Sequence, residues 1–146
     1  MAKQNPSRIG VIGEHLVLAE LLRRGFDAYL AHGTTNKGWD ILVFKKDNSV
    51  MKEIRVQVKT TSSKKKSKTI NLSKASREFS DYTVILLLDI QRDINESSND
   101  KYLILSNEEV EKHLSPYNEE RKNNARTISV NGSFEECYLN QWLKIR

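Results

Sequence analysis

Gln57 and Lys59 stand two residues apart in the run Glu53-Ile-Arg-Val-Gln-Val-Lys59. Strand side chains alternate between faces. Ile54, Val56 and Val58 therefore point one way, and Glu53, Arg55, Gln57 and Lys59 the other. An amide oxygen beside an ammonium can hold a hard cation and a phosphate together. Asp40 opens a second apolar run upstream, Ile41-Leu-Val-Phe44, joined to the first by a turn at Lys46-Asp-Asn-Ser49. A carboxylate at that strand edge would be the central ligand, because hard divalent ions prefer carboxylate and carbonyl oxygens. The Val58 carbonyl is a further candidate. Lys59 would offset charge growing on a phosphate and orient, or help deprotonate, an attacking water. Glu14 supplies a second carboxylate, on a helix flank with Val11, Leu18 and Leu21. A charge there needs a partner if buried. Each piece also has a plainer reading. Gln57 and Lys59 alone describe a solvent-facing strand, Asp40 alone closes a loop at Gly38-Trp39, and Glu14 alone faces water or pairs with an Arg.

The elements that must position these residues are legible in outline. Pro6-Ser7 starts a helix and Gly25 stops it. Ile12, Leu16, Ala19 and Leu22 follow helical spacing on one flank, and Val11, Leu18 and Leu21 on the next. Gly10 and Gly13 weaken this helix but let its backbone approach a neighbour. Strands are predicted over 26–30, 39–44 and 50–60, a short strand over 69–72 and a short helix over 74–79. The continuously apolar Tyr82–Leu88 reads as a central strand buried on both faces. A strand at 101–105 precedes a helix opened by a Ser106/Glu109 capping box. A short edge strand at 127–130 precedes a last helix, opened by Ser133/Glu136 and holding Tyr138, Leu139, Trp142 and Leu143. This order predicts one α/β domain over 1–146, with helices on the faces of a sheet.

Composition narrows the function classes. The chain has 146 residues and a formal net charge of +5, with a single cysteine, Cys137. One cysteine excludes an internal disulfide and a multi-thiolate zinc site. No apolar run approaches membrane-spanning length, and a cytoplasmic protein is expected. The positive charge gathers between Lys45 and Arg77, around Lys64-Lys-Lys66 and Lys68. A local basic field attracts a polyanion, although a lysine run is often only a solvated loop. Thr60, Thr61, Ser62 and Ser63 add hydroxyl donors suited to phosphate, and Lys37 approaches from the loop before Asp40.

Four stretches resemble the PD-(D/E)XK nuclease superfamily, in that family's order: Gly10-Val-Ile-Gly-Glu14, Gly38-Trp-Asp-Ile-Leu-Val43, Ile54-Arg-Val-Gln-Val-Lys-Thr60 and Asp81-Tyr-Thr-Val-Ile85. They are similar to the Holliday-junction-resolvase-like and group I intron-associated endonuclease branches that carry Q-x-K. The resemblance implies a restriction-endonuclease-like core, a central mixed β-sheet flanked by helices. It implies Mg²⁺, with Mn²⁺ as a substitute, and makes Glu14, Asp40, Gln57 and Lys59 catalytic. Asp40 becomes the main ligand, assisted by Glu14, Gln57 and the Val58 carbonyl. Gln57 stands where a carboxylate is usual, which removes one negative charge and one proton acceptor. Metal affinity should therefore be lower unless Glu14 compensates.

The expectation is a metal-dependent endodeoxyribonuclease acting on double-stranded or branched DNA. Lys37, Thr60, Thr61, Ser62, Lys64, Lys65, Lys66 and Lys68 would contact nucleic acid. A domain this small covers about half of a duplex site, so a homodimer is expected, through the strand at 69–72 or the last helix with Trp142. The alternatives are a DNA-binding module with the same fold and weak or no catalysis, and a basic subunit of a larger restriction or defence complex.

Overall fold

The computed structural model describes residues 6–31, 38–90, 99–121 and 124–145. Helix α1, Pro6–Arg23, ends where Gly25 takes φ +83°. The Gly25 and Phe26 N–H groups return to the Leu22 and Leu21 carbonyls, each at 3.0 Å. These are the paired bonds of a Schellman motif, which glycine closes without a Cβ penalty. The buried stripe of α1 is Gly13, Val17 and Leu21, whereas Val11 and Leu22, from the two apolar flanks, are half exposed. The helix meets the sheet closely at Gly13, against Thr60, and positions four and eight residues on share its face.

Strands β1 (Asp27–Leu30), β2 (Ile41–Asp47) and β3 (Val50–Ser62) make an antiparallel meander. Asn48 and Ser49 both have positive φ, 48° and 71°, the sense of hairpin turn that matches strand twist. Strand β4 (Lys68–Leu72) and helix α2 (Lys74–Phe79) follow, then β5 (Tyr82–Leu88) and β6 (Lys101–Ser106). Helix α3 (Asn107–His113) carries the expected capping box on Ser106 and Glu109. Strand β7 (Arg126–Val130), helix α4 (Gly132–Tyr138) and a 3₁₀ turn (Trp142–Ile145) complete the chain.

The central sheet has order β1-β2-β3-β5-β6. It is mixed, because β3 and β5 run parallel and the other pairs antiparallel. α1 packs on one face, over Val56, Val58 and Val84. On the other face α3, α4 and the β4–β7 pair enclose Ile85, Leu87, Leu103 and Leu105. β5 is thus covered on both sides, as its unbroken apolar run required. The fold is the expected one, a central mixed sheet flanked by helices.

Three expectations change. β4 leaves the meander and pairs with β7 in a separate two-stranded sheet, burying Ile70 and Leu72. α4 is capped by Asn131, whose side chain accepts from the Phe134 N–H at 2.9 Å, so Ser133 lies inside the first turn. The last helix also stops at Tyr138. Leu139 bridges to Leu103, Asn140 takes φ 54°, and the chain crosses the sheet edge. Trp142 then joins the α1 face, 3% exposed, with Tyr102 at 5.5 Å and the Arg24 guanidinium over its ring. Trp142 is therefore not a free surface for a second copy. No helix among the described residues is long and apolar enough to cross a membrane.

Candidate active site

The site forms where β3 outruns β2. The first β2–β3 pair is Ile41 with Val56, and β3 continues to Ser62 beside β5 alone. Asp40 stands one residue before β2. Its N–H donates to the Val56 carbonyl at 2.9 Å, and its carbonyl accepts from the Ala31 N–H at 2.8 Å. With both backbone groups fixed, its carboxylate takes over the vacated ladder position. Oδ2 accepts the Val58 N–H at 2.7 Å and Gln57 Nε2 at 2.6 Å. Nε2 also donates to the Val58 carbonyl at 3.2 Å. Gln57 is 6% exposed, so these bonds satisfy a buried amide that would otherwise be costly.

Glu14 comes from α1. A Cβ built on Gly13 would fall 1.7 Å from Thr60 Oγ1, so the helix lies directly on β3 at the residue after Lys59. The carboxyl of Glu14 is raised above its usual range, first by burial and then by the Asp40 charge, with His15 and Lys59 opposing. Asp40 is also raised by burial, against the lowering effects of the Val58 N–H, Lys59 and the Gln57 amide. Two carboxylates and one ammonium therefore sense one another across the gap between α1 and the β2–β3 edge. The structure brings together Glu14, Asp40, Gln57, Val58 and Lys59.

This donor set suits a hard cation. It offers carboxylate and carbonyl oxygens and no sulfur, and two partly buried acids that repel each other gain from a positive charge between them. It is a lean set. Among the described residues no group of three or more His, Cys, Asp or Glu side chains gathers. In its present orientation Gln57 contributes a donor, not the oxygen expected of it.

The expected nucleic-acid residues separate by burial. Lys65 and Lys66 are exposed on the turn after β3, and Lys64 lies 3.7 Å from the Asp89 carboxylate. The Ser62 hydroxyl accepts from the Lys64 N–H. Thr60 and Thr61 do not fit the expectation. The Thr60 hydroxyl is buried beneath α1 without a hydrogen bond, and Thr61 is 8% exposed. Lys68 is turned inward to Glu135 at 3.8 Å and is largely buried. Its place in the β4–β7 pair directs it to α4. Lys37 lies outside the described residues.

A cleft of about 650 Å³ occupies the other flank of α1. Arg8, Glu20, Arg23, Asp89 and Asp100 line it among apolar residues, but none of the four candidate catalytic residues does. Its mixed charges give no field of one sign for a polyanion, so the chemistry is placed at the carboxylates.

No protein-family model and no curated protein sequence matches the chain. Among solved structures it is similar to a bacterial homing endonuclease, I-Ssp6803I, at TM-score 0.62 and 12% identity, over 98% of this chain and 92% of that one. The likeness is one of fold.

Two residues quoted from the sequence support the site through contacts the sequence does not show. Asp81 clasps β3 just ahead of Gln57, its Oδ2 accepting from the Arg55 N–H and its own N–H donating to the Arg55 carbonyl, both at 2.8 Å. Gly38, at φ +78°, lets the chain before Asp40 pass against α2, where a Cβ would meet the Ala75 carbonyl at 2.3 Å. The glycine was visible in the sequence. Its neighbour was not.

Proposed function

We propose that this protein is an endodeoxyribonuclease that uses Mg²⁺ or Mn²⁺ to hydrolyse phosphodiester bonds. The observation that carries the reading is the convergence of Glu14, Asp40 and Lys59 on the edge of β3 that β2 leaves open. A surface built only to bind DNA gains nothing from two carboxylates facing a polyanion. The fold shared with a homing endonuclease supports the same reading.

Asp40, Glu14 and the Val58 carbonyl would hold the ion, joined by Gln57 through its oxygen. When bound, the ion supplies Lewis-acid neutralisation of phosphate charge. Asp40 is kept in one orientation by the Val58 N–H. Lys59, on the face of Gln57, stabilises negative charge on the reacting phosphate, a preorganised electrostatic role. Lys65 and Lys66 anchor backbone phosphates, which positions the duplex without reading its sequence. A homodimer would place two such sites on one duplex.

The second reading is a DNA-binding module with little or no catalysis. The Gln57 amide nitrogen facing Asp40 favours it. Supercoiled, branched and single-stranded DNA should be incubated with the protein in Mg²⁺, Mn²⁺ or EDTA, beside Asp40→Ala and Lys59→Ala. Ion-dependent cleavage lost in both variants supports the nuclease. Retained binding with no cleavage of any substrate supports the module.

A further inference from the structure

Gln57 Nε2 lies 2.6 Å from Asp40 Oδ2 and 3.2 Å from the Val58 carbonyl oxygen. A carboxylate oxygen and a carbonyl oxygen only accept hydrogen bonds. The facing atom of the amide must therefore be nitrogen, since turning Oε1 toward them would set three oxygens together with no proton to share. Both oxygens that engage this nitrogen belong to residues proposed above as ligands of a hard cation, Asp40 and Val58. Gln57 is also buried, so water does not compete for its amide.

We propose that Gln57 is a placeholder for the ion: its NH₂ group occupies the cation position in the ion-free protein and must rotate away before a divalent ion binds. The inference rests on reading the site as a divalent-ion centre, and it adds a conformational step that a carboxylate at this position cannot perform. In the ion-free state the amide screens Asp40 with the partial positive charge of its N–H groups. On rotation the same side chain presents Oε1, the ligand atom a hard ion prefers. The Gln57 N–H and an ion compete for the lone pair of Asp40 Oδ2 that the Val58 N–H leaves over. Gln57→Glu removes the donor, crowds a third carboxylate into the ion-free site, and should tighten ion binding by about tenfold or more, the scale on which partners of ligands tune affinity.

The test uses ¹⁵N-labelled full-length protein with Ca²⁺ as the probe. The side-chain NH₂ pair of Gln57 is assigned by its loss in Gln57→Glu or Gln57→Met, and calorimetry follows Ca²⁺ binding to wild type and Asp40→Asn. As Ca²⁺ saturates an Asp40-dependent site, the NH₂ pair should shift and exchange with solvent at least about tenfold faster, since it loses two buried acceptors. An unchanged pair at saturation overturns the placeholder while leaving the divalent-ion centre standing. Absence of any Asp40-dependent Ca²⁺ binding overturns the centre and the placeholder with it. The spectrum of the wild-type protein decides the point even if Gln57→Glu does not fold.

Discussion

Gly13 and Thr60 touch: a Cβ on the glycine would sit 1.7 Å from the threonine Oγ1 and 2.9 Å from its Cβ. Their neighbours in sequence are Glu14 and Lys59, so this contact sets how near the helix carboxylate comes to the strand ammonium. Gly13→Ala should push α1 off β3, costing about 1–3 kcal/mol, the usual range for overpacking. Cleavage should fall further than this loss of stability explains, because Glu14 moves with the helix. Thr60→Ala in the same chain removes Oγ1 and Cγ2 and should restore part of both, read by urea unfolding and plasmid nicking.

Burial raises the carboxyls of both Glu14 and Asp40. A group raised in the folded state binds its proton more tightly there, so its contribution to stability is complete below the ordinary carboxylate range and is lost as pH rises through the folded value. Asp40→Asn keeps an acceptor for the Val58 N–H and removes the charge. Without divalent ions the variant should therefore be more stable than wild type at pH 7, and this advantage should shrink toward nothing as pH falls below the usual aspartate range. Denaturant midpoints across pH check this.

Lys59 lowers the carboxyls of both Asp40 and Glu14. Lys59→Ala should cut the cleavage rate by about 10²–10³, as for loss of one preorganised electrostatic contact, with DNA affinity little changed. Its remaining activity should also need a higher pH, because both acids then ionise later. An acid limb at the wild-type position in the variant would contradict the shared field.

Phosphate binding should follow exposure and not lysine count. Replacing both Lys65 and Lys66 by Ala should make the dependence of DNA affinity on salt shallower by about 2 in log–log slope. Lys68→Ala should leave that slope unchanged and cost roughly 1 kcal/mol of stability or less, since Lys68 pairs inward with Glu135. Fluorescence anisotropy at several salt concentrations separates the two.

At the last helix, Asn131→Ala should cost about 1 kcal/mol, the value of a lost N-cap, because Asn131 accepts from the Phe134 N–H. Ser133→Ala should cost less, as its hydroxyl only reaches the Asn131 side chain. Thermal unfolding ranks the pair, and the reverse order would restore the cap at Ser133.

The misread residues share a cause. Ser133 and Glu136 have cap spacing, but Asn131 has the same chemistry two residues earlier, and only the direction of chain entry chooses between them. Thr60 and Lys68 are phosphate-binding types in sequence but are engaged within the fold, the Thr60 hydroxyl buried beneath α1 and Lys68 turned to Glu135 of α4. The strand at 69–72 was found, yet its partner is β7, far along the chain. Residue type is local and burial is not.

Chain-local patterns place Gln57 and Lys59 on one face of β3, require β5 to be covered on both sides, and end α1 at Gly25. Each follows from a short-range rule, the two-residue period of a strand, the cost of exposing a continuous apolar run, or the conformational freedom of glycine. Tertiary structure decided the rest of the site. The register of Ile41 on Val56 put the Asp40 carboxylate where β3 has no strand on its β2 side, and the missing Cβ of Gly13 brought Glu14 in from the helix. Two acceptor oxygens from separate segments then fixed which end of the Gln57 amide faces them. Such contacts depend on what packs across a gap, and no periodicity along the chain encodes them.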